Sequence, residues 1–161
     1  MKKLILIRHA KSSWKFDVTD HQRPLKKRGK NDAKLIGKRL RKLGITADKI
    51  ICSDAKRTQM TASIILDELE MKNTDFSLDH ALYDFEGTHV FESIRATNVE
   101  IDTLMVFGHN YALTALANTL GDQVIDNIPT AGVVIIEFAN KRWSSISVGK
   151  TSLTLFPKEL R

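Results

Sequence analysis

An arginine and a histidine, Arg8-His9, follow directly on the apolar run 4–7. Four consecutive apolar residues predict a buried strand, and open α/β sheets bind their ligands at the carboxyl ends of such strands. A guanidinium can hold a phosphoryl group by its charge while the ring nitrogen of a neighbouring imidazole attacks the phosphorus. This pair of residues therefore indicates phosphoryl transfer.

Two further predicted strands end in residues of the same kind. Arg57 closes the polar stretch that follows the run 49–52, and His109 follows the run 103–107 after a glycine. Because parallel strands share a direction, their carboxyl ends lie along one edge, where two arginines and two histidines converge. The helices that follow these strands point positive dipole ends at the same edge. The sequence thus predicts a site for a dianion.

Strands and amphipathic helices alternate along the rest of the chain. The apolar spacing predicts helices near 28–44, 56–70, 88–96 and 110–120, and strands near 4–7, 49–52, 76–78 and 103–107. Two more runs, 133–138 and 143–148, predict a terminal hairpin across Asn140-Lys141. We therefore expect one α/β domain over residues 1–161, a three-layer α/β/α sandwich with a mostly parallel central sheet and helices on both faces.

Length and composition indicate the number of domains and the cellular compartment of the protein. Its 161 residues are 42% hydrophobic, which is enough for one core, and the sequence predicts neither a signal peptide nor a membrane span. The single cysteine, Cys52, excludes an internal disulfide framework and fits a reducing compartment. We expect a cytoplasmic monomer that does not associate with membranes.

The net charge of +6 is concentrated in the predicted helix 28–44 and the residues just before it. Lysines and arginines alternate there with apolar residues at helical spacing, and no aromatic residues interleave with them to stack on bases. This pattern favours a solvated helix face over a nucleic-acid site. We expect no nucleic-acid partner.

Three motifs occur in order along the chain: Leu-Ile-Arg8-His9-Ala10-Lys11-Ser12, Ser53-x-x-x-Arg57-x-x-x-Thr61-Ala62 and Phe107-Gly108-His109-Asn110. Together they resemble the histidine phosphatase superfamily, the phosphoglycerate mutase-like proteins. The short chain, alanine after the first histidine, the stretch Asp20-x-x-Arg23-Pro24-Leu25-x-x-Arg28-Gly29 and the turn Pro129-Thr130-Ala131 resemble the SixA-type phosphohistidine phosphatases within it. Asp54 and Tyr111 depart from the family pattern, which often has proline at both positions.

The resemblance implies that His9 is the nucleophile and forms a phosphohistidine that water then hydrolyses. Arg8 and Arg57 are expected to bind the phosphoryl oxygens with paired hydrogen bonds. His109 is expected to donate to the same oxygens and to stabilise the charge of the transition state. The positive neighbours also favour the neutral form of His9, which attack requires.

Three residues have less defined roles. Arg23 either reaches the phosphate or braces its loop through Asp20. Asp20 and Asp84 are candidate proton donors, and each has an alternative role as a loop cap or an ion-pair partner. Asp84 is the closest counterpart of a glutamate general acid in larger family members. Breaking a P–N bond whose nitrogen is protonated requires less help from a general acid than expelling an alkoxide does.

We expect a metal-independent phosphatase without a cofactor that acts on phosphohistidine carried by a protein. Small phosphate esters are the alternative substrates, and a non-catalytic phosphate-binding module is the alternative function. A cysteine-dependent phosphatase is disfavoured because only four residues separate Cys52 from Arg57, whereas the motif of such enzymes, Cys-x5-Arg, has five residues between the cysteine and the arginine. The histidines show no close ligand spacing such as His-x-His, so the sequence predicts no metal site.

Overall fold

One six-stranded sheet forms the centre of the fold, and the computed structural model describes all residues, 1–161. The strands are β1 (Lys2–Arg8), β2 (Lys49–Cys52), β3 (Asp75–Leu78), β4 (Thr103–Gly108), β5 (Val133–Phe138) and β6 (Lys150–Leu155). The helices are α1 (Lys27–Lys42), α2 (Lys56–Glu68), α3 (Thr88–Arg95) and α4 (Ala112–Leu120). None of these helices has the length and apolar character that a membrane span needs.

β1 lies near the middle of the sheet, whose strand order is β3-β2-β4-β1-β5-β6. β1 pairs with β4, β4 with β2 and β2 with β3, all in parallel, whereas β5 and β6 are antiparallel additions. In register, Arg8 lies opposite Gly108 and Cys52 lies opposite Phe107. The carboxyl ends of β1, β2 and β4 therefore meet at one edge, as the sequence predicts.

Apolar layers cover both faces of the sheet, and the alternation of side chains along β1 separates them. Leu4 and Leu6 belong to a core cluster that includes residues of α3 and α4. Ile5 and Ile7 belong to a second cluster that includes residues of α1 and α2. Strands covered on both faces are apolar throughout, which explains the unbroken run in β1. The predicted α/β/α sandwich with a mostly parallel sheet is confirmed.

The terminal hairpin differs from the prediction: its second strand is β6, and the predicted strand 143–148 is wrong. Trp143–Ser145 forms a 3-10 turn instead. Trp143 is fully buried in the core layer of α3 and α4, and its indole nitrogen donates to the carbonyl of Ile101 at 2.6 Å. Burying this large ring with its polar atom satisfied outweighs the strand propensity of its neighbours.

α1 begins against the segment that follows β1. A Cβ at Gly29 would lie 2.2 Å from the carbonyl oxygen of Lys11, so a larger residue cannot occupy this position without moving the helix. The backbone amide of Lys26 donates to the same oxygen at 3.0 Å. The start of α1 therefore holds in place the chain that leaves His9.

Candidate active site

The carboxyl ends of β1, β2 and β4 bring four of the predicted site residues together. His9 follows β1, and its ring centroid lies 5.2 Å from that of His109, which follows β4. Arg57, in the first turn of α2, places Nη2 3.5 Å from Nδ1 of His109. Arg8 ends β1 and lies near enough to Arg57 for their charges to interact. Residues far apart in sequence thus form one cationic site.

The two arginines carry buried donors without acceptors. Burial, and then the charge of Arg57, lowers the pKa of Arg8. Arg8 donates from Nη1 to the carbonyl of Ile128, and Arg57 donates from both terminal nitrogens to Asp20. The Nε atom of each guanidinium is buried and has no hydrogen-bond partner. Unsatisfied buried donors are costly, and the oxygens of an anion would satisfy them.

The hydrogen bond of His9 defines which of its nitrogens keeps a free lone pair. Nδ1 lies 2.7 Å from the carbonyl oxygen of Ala10. Because a carbonyl only accepts, Nδ1 carries the ring proton and Nε2 keeps its lone pair. Burial is the main reason that the pKa of His9 lies well below its ordinary value; the bond to Ala10 opposes this, and the charges of His109 and Arg57 reinforce it. His9 therefore presents a neutral imidazole.

We expect His9 to stay neutral in the folded protein as the pH falls through 6.5, where an unperturbed histidine takes up a proton. The unfolded chain binds this proton and the folded chain does not, so His9 lowers stability as the pH falls below that value. Nuclear magnetic resonance of labelled histidines, assigned with His9→Gln, measures the titration. The same protein unfolded in urea is the control, and protonation of folded His9 at or above pH 6.5 would contradict the expectation.

His109 is fully buried beneath two aromatic rings. Its ring centroid lies 5.3 Å from that of Tyr83 and 5.2 Å from that of Phe85. Burial, and next the charge of Arg57, lowers the pKa of His109 to about 3. Without an anion this imidazole is neutral at physiological pH, and its environment would accept negative charge beside it.

Ser53 sets the orientation of the His109 ring. Its Oγ lies 2.8 Å from Nε2 of His109 and accepts from the backbone amide of Ala55. Nδ1 faces Nη2 of Arg57, and because a guanidinium only donates, this contact places the ring proton on Nε2, which donates to the Ser53 hydroxyl. When an anion replaces Nδ1 as the acceptor for Arg57, the Ser53 hydroxyl can donate to Nε2 instead, and Nδ1 can then carry the proton and donate to the anion.

Asp20 joins the site as an ion-pair partner. Its carboxylate accepts from Nη2 of Arg57 and Nε of Arg23, both at 3.0 Å, and from the hydroxyl of Tyr83 at 2.5 Å. Burial pushes the pKa of Asp20 upwards, but these three hydrogen bonds outweigh it and hold the pKa well below its usual range. In this state Asp20 is ionised, which favours the ion-pair role over proton donation.

Arg23 braces the loop between β1 and α1. It is buried and donates from Nε to Asp20 and from Nη1 to Oγ of Ser12 at 2.6 Å. Its guanidinium carbon also lies 3.6 Å from the centroid of the Trp14 ring. These contacts favour bracing over direct phosphate binding.

Asp84 caps the start of α3. Its two oxygens accept from the backbone amides of Glu86, Gly87, His89 and Val90 at 3.1–3.2 Å. Both oxygens are therefore occupied by the backbone of their own segment. The structure favours the cap, the alternative that the sequence left open, over proton donation.

The sequence did not predict the two aromatic rings that lie over His109, nor one residue that positions the site. Tyr83 and Phe85 lie in an irregular segment where neither periodicity nor spacing marks them. Thr61 accepts from the amide of Ala10 at 2.9 Å and donates to the carbonyl of Arg57 at 2.8 Å. It ties the strand end that carries His9 to α2, and its place in the second motif was the available signal.

Comparison with known proteins identifies the family. The model of the histidine phosphatase superfamily (branch 1) matches residues 4–93. An uncharacterized protein of Mycobacterium tuberculosis is 30% identical over 162 residues, covering 93% of this chain and 98% of that protein. The mitochondrial serine/threonine-protein phosphatase Pgam5 of Drosophila persimilis is 47% identical over 73 residues, covering 44% of this chain and 24% of that protein.

Among solved structures, the protein histidine phosphatase SixA complexed with tungstate shares the fold. It matches with a TM-score of 0.83 and 18% identity, over 99% of both chains. The family match covers more than half of this chain, and the mycobacterial relative extends the similarity to nearly its full length. The chain therefore belongs to the histidine phosphatase superfamily, branch 1, and this membership supports phosphatase activity.

Proposed function

We propose that this protein is a phosphatase that removes phosphoryl groups from phosphohistidine on another protein, through a phosphorylated His9. One observation carries the proposal: the free lone pair of His9 Nε2 lies beside two guanidinium groups whose buried Nε atoms lack acceptors. A phosphoryl group bound there would fill those acceptor positions and present its phosphorus to the imidazole.

In the first step, Nε2 of His9 attacks the phosphorus as the P–N bond of the substrate breaks. The electrons of that bond remain on the substrate ring, which leaves as neutral imidazole when its other nitrogen is protonated. Arg8, Arg57 and His109 stabilise the charge on the phosphoryl oxygens. His9 becomes positively charged as its new bond forms, which strengthens the hydrogen bond from Nδ1 to the Ala10 carbonyl.

In the second step, water attacks the phosphorus of phosphorylated His9. The P–N electrons return to Nε2, and dihydrogen phosphate leaves with the oxygen and both protons of that water. Charge and protons balance in both steps without a dedicated general acid. A phosphate ester differs, because its alkoxide leaving group needs a proton. The engaged carboxylates of Asp20 and Asp84 therefore fit phosphohistidine better than an ester.

Exposed apolar side chains on two segments that contribute residues to the site support a protein substrate. Trp14, Phe16 and Val18 are exposed on the segment that follows His9, and Phe85 is exposed where it covers His109. Clustered exposed apolar groups are typical of protein contact surfaces.

Cys52 does not suit the alternative role of nucleophile. It is fully buried in β2, and burial, followed by the charge of Asp54, raises the pKa of its thiol far above the ordinary range. A thiol in this state is unreactive.

The proposal is tested by comparing kcat/KM for a phosphohistidine-bearing protein and for p-nitrophenyl phosphate, with a metal chelator present. We expect the phosphohistidine protein to be the better substrate and the chelator to leave both rates unchanged, because no step uses a metal ion. A preference for the monoester would overturn the substrate assignment in favour of small esters. Binding of the phosphoprotein without turnover would indicate a phosphate-binding module.

A further inference from the structure

A second cluster of ligand-type side chains lies beside the phosphoryl site. It consists of His21, Asp54 and His80, here called the rim cluster. Nε2 of His21 lies 2.8 Å from Oδ1 of Asp54, and Nδ1 of His80 lies 3.0 and 2.9 Å from the two oxygens of the same carboxylate. We propose that the rim cluster binds Zn²⁺.

The donor atoms of the rim cluster suit this ion. Two imidazole nitrogens and one carboxylate oxygen, with water in the fourth position, form a common Zn²⁺ coordination set. Mg²⁺ and Ca²⁺ prefer oxygen ligands throughout, so the two histidines disfavour them. The three ligand atoms already lie within 4.8 Å of one another. Tetrahedral Zn²⁺ needs ligand atoms about 3.3 Å apart, a separation that follows from metal–ligand bonds of about 2.0–2.1 Å.

Two of the three ligands are held in place and the third can move. The His21 ring meets the Tyr83 ring edge-on at 88° with centroids 5.0 Å apart, and the side chains of His21 and Asp54 are only 27% and 29% exposed. The His80 side chain is 73% exposed. A small rotation of His80 therefore closes the remaining gap without disturbing the core.

The ring protons can be rearranged without leaving a polar group unsatisfied. Zn²⁺ needs the lone pair of each nitrogen that now faces Asp54, so in a neutral ring the proton moves to the other nitrogen. In His21 that nitrogen, Nδ1, lies 2.9 Å from the side-chain amide of Gln22, which can turn its oxygen towards the ring and accept. His80 is exposed, so water accepts from its other nitrogen.

The rim cluster joins three separate segments: the 3-10 turn Asp20–Gln22, the residue after Ser53 and the turn His80–Leu82. Because its members are 33 and 26 residues apart, no spacing motif could show it. Asp54 is also one of the two positions that depart from the family pattern. Bound Zn²⁺ would fix the turn that carries Asp20 and the turn that precedes Tyr83, without contacting the phosphoryl group.

Direct titration of the metal-stripped protein with Zn²⁺, in competition with a chromogenic chelator, tests the proposal. We expect one equivalent of Zn²⁺ to bind to the wild type. His21→Ala, Asp54→Ala and His80→Ala should each weaken binding by at least about 100-fold, since losing even an outer partner of a ligand costs about 10–100-fold. His80 is exposed, so His80→Ala keeps the fold and is the decisive variant.

Two matched substitutions serve as controls. His89→Ala removes an exposed imidazole outside the rim cluster, and His9→Ala removes one from the phosphoryl site; both should bind Zn²⁺ as the wild type does. Wild-type binding no tighter than that of His80→Ala, or binding lost in His9→Ala alone, would overturn the proposal. The titration contains no substrate, so its outcome is independent of the proposed phosphatase activity.

Discussion

Replacing His9 by alanine should lower kcat/KM for the phosphohistidine-bearing protein by at least about 10⁴-fold, as expected when a nucleophile is removed from a covalent mechanism. In the proposed mechanism Nε2 of His9 accepts the phosphoryl group, and neither Ser12 nor Cys52 is suited to replace it. Ser12 has no base beside it, and Cys52 is buried with a raised pKa. Rapid quenching with labelled substrate should show phosphate on His9 in the wild type and none in the variant.

The control must separate lost chemistry from lost binding. Arg8 and Arg57 remain in His9→Ala, so we expect it to bind tungstate, an inert phosphate analogue, within about tenfold of the wild type by calorimetry, because charge-assisted arginine contacts dominate such binding. His89→Ala should keep full activity, since His89 lies exposed on α3. Activity of His9→Ala above about 1% of the wild type would far exceed the residual activity expected without a nucleophile and would contradict a phosphorylated His9.

The sheet and its ligand edge could be predicted because the sequence marks each strand end. The run 4–7 is apolar at every position, which is the pattern of a strand covered on both faces, and Arg8-His9 follows it directly. Parallel pairing of β1 with β4 and of β4 with β2 then brings His109 and Arg57 to the same edge. The local sequence pattern and the sheet topology both place these residues at one edge, so the site could be predicted.

Other features depend on tertiary contacts that no local pattern contains. Trp143 lies in a stretch with strand propensity, and only the space beneath the sheet decides that its ring is buried there. Asp20 was a candidate proton donor because the sequence cannot show that Arg57 and Tyr83 reach its carboxylate. In both cases a side chain is satisfied by partners distant in sequence.

Arg57→Ala should lower kcat/KM by about 10³-fold, the scale on which an arginine stabilises the charge of a transferring phosphoryl group. The substitution removes a buried cation with an unsatisfied Nε atom, and nothing nearby replaces it. Its charge also lowers the pKa values of His9 and His109, so both should rise in the variant. The acidic limb of the profile of kcat/KM against pH should then move to higher pH, which steady-state kinetics would show.

Two further variants separate this charge from the contact that Arg57 makes with Asp20. Arg57→Lys keeps a cation but loses the paired donors, and we expect it to recover only part of the loss, because a lysine binds phosphate as a point charge. Asp20→Asn removes the ion pair and leaves the guanidinium in place. If Asp20→Asn lost as much activity as Arg57→Ala, Arg57 would act through the loop that carries Asp20. We expect a loss of less than about tenfold, because a partly exposed ion pair contributes little.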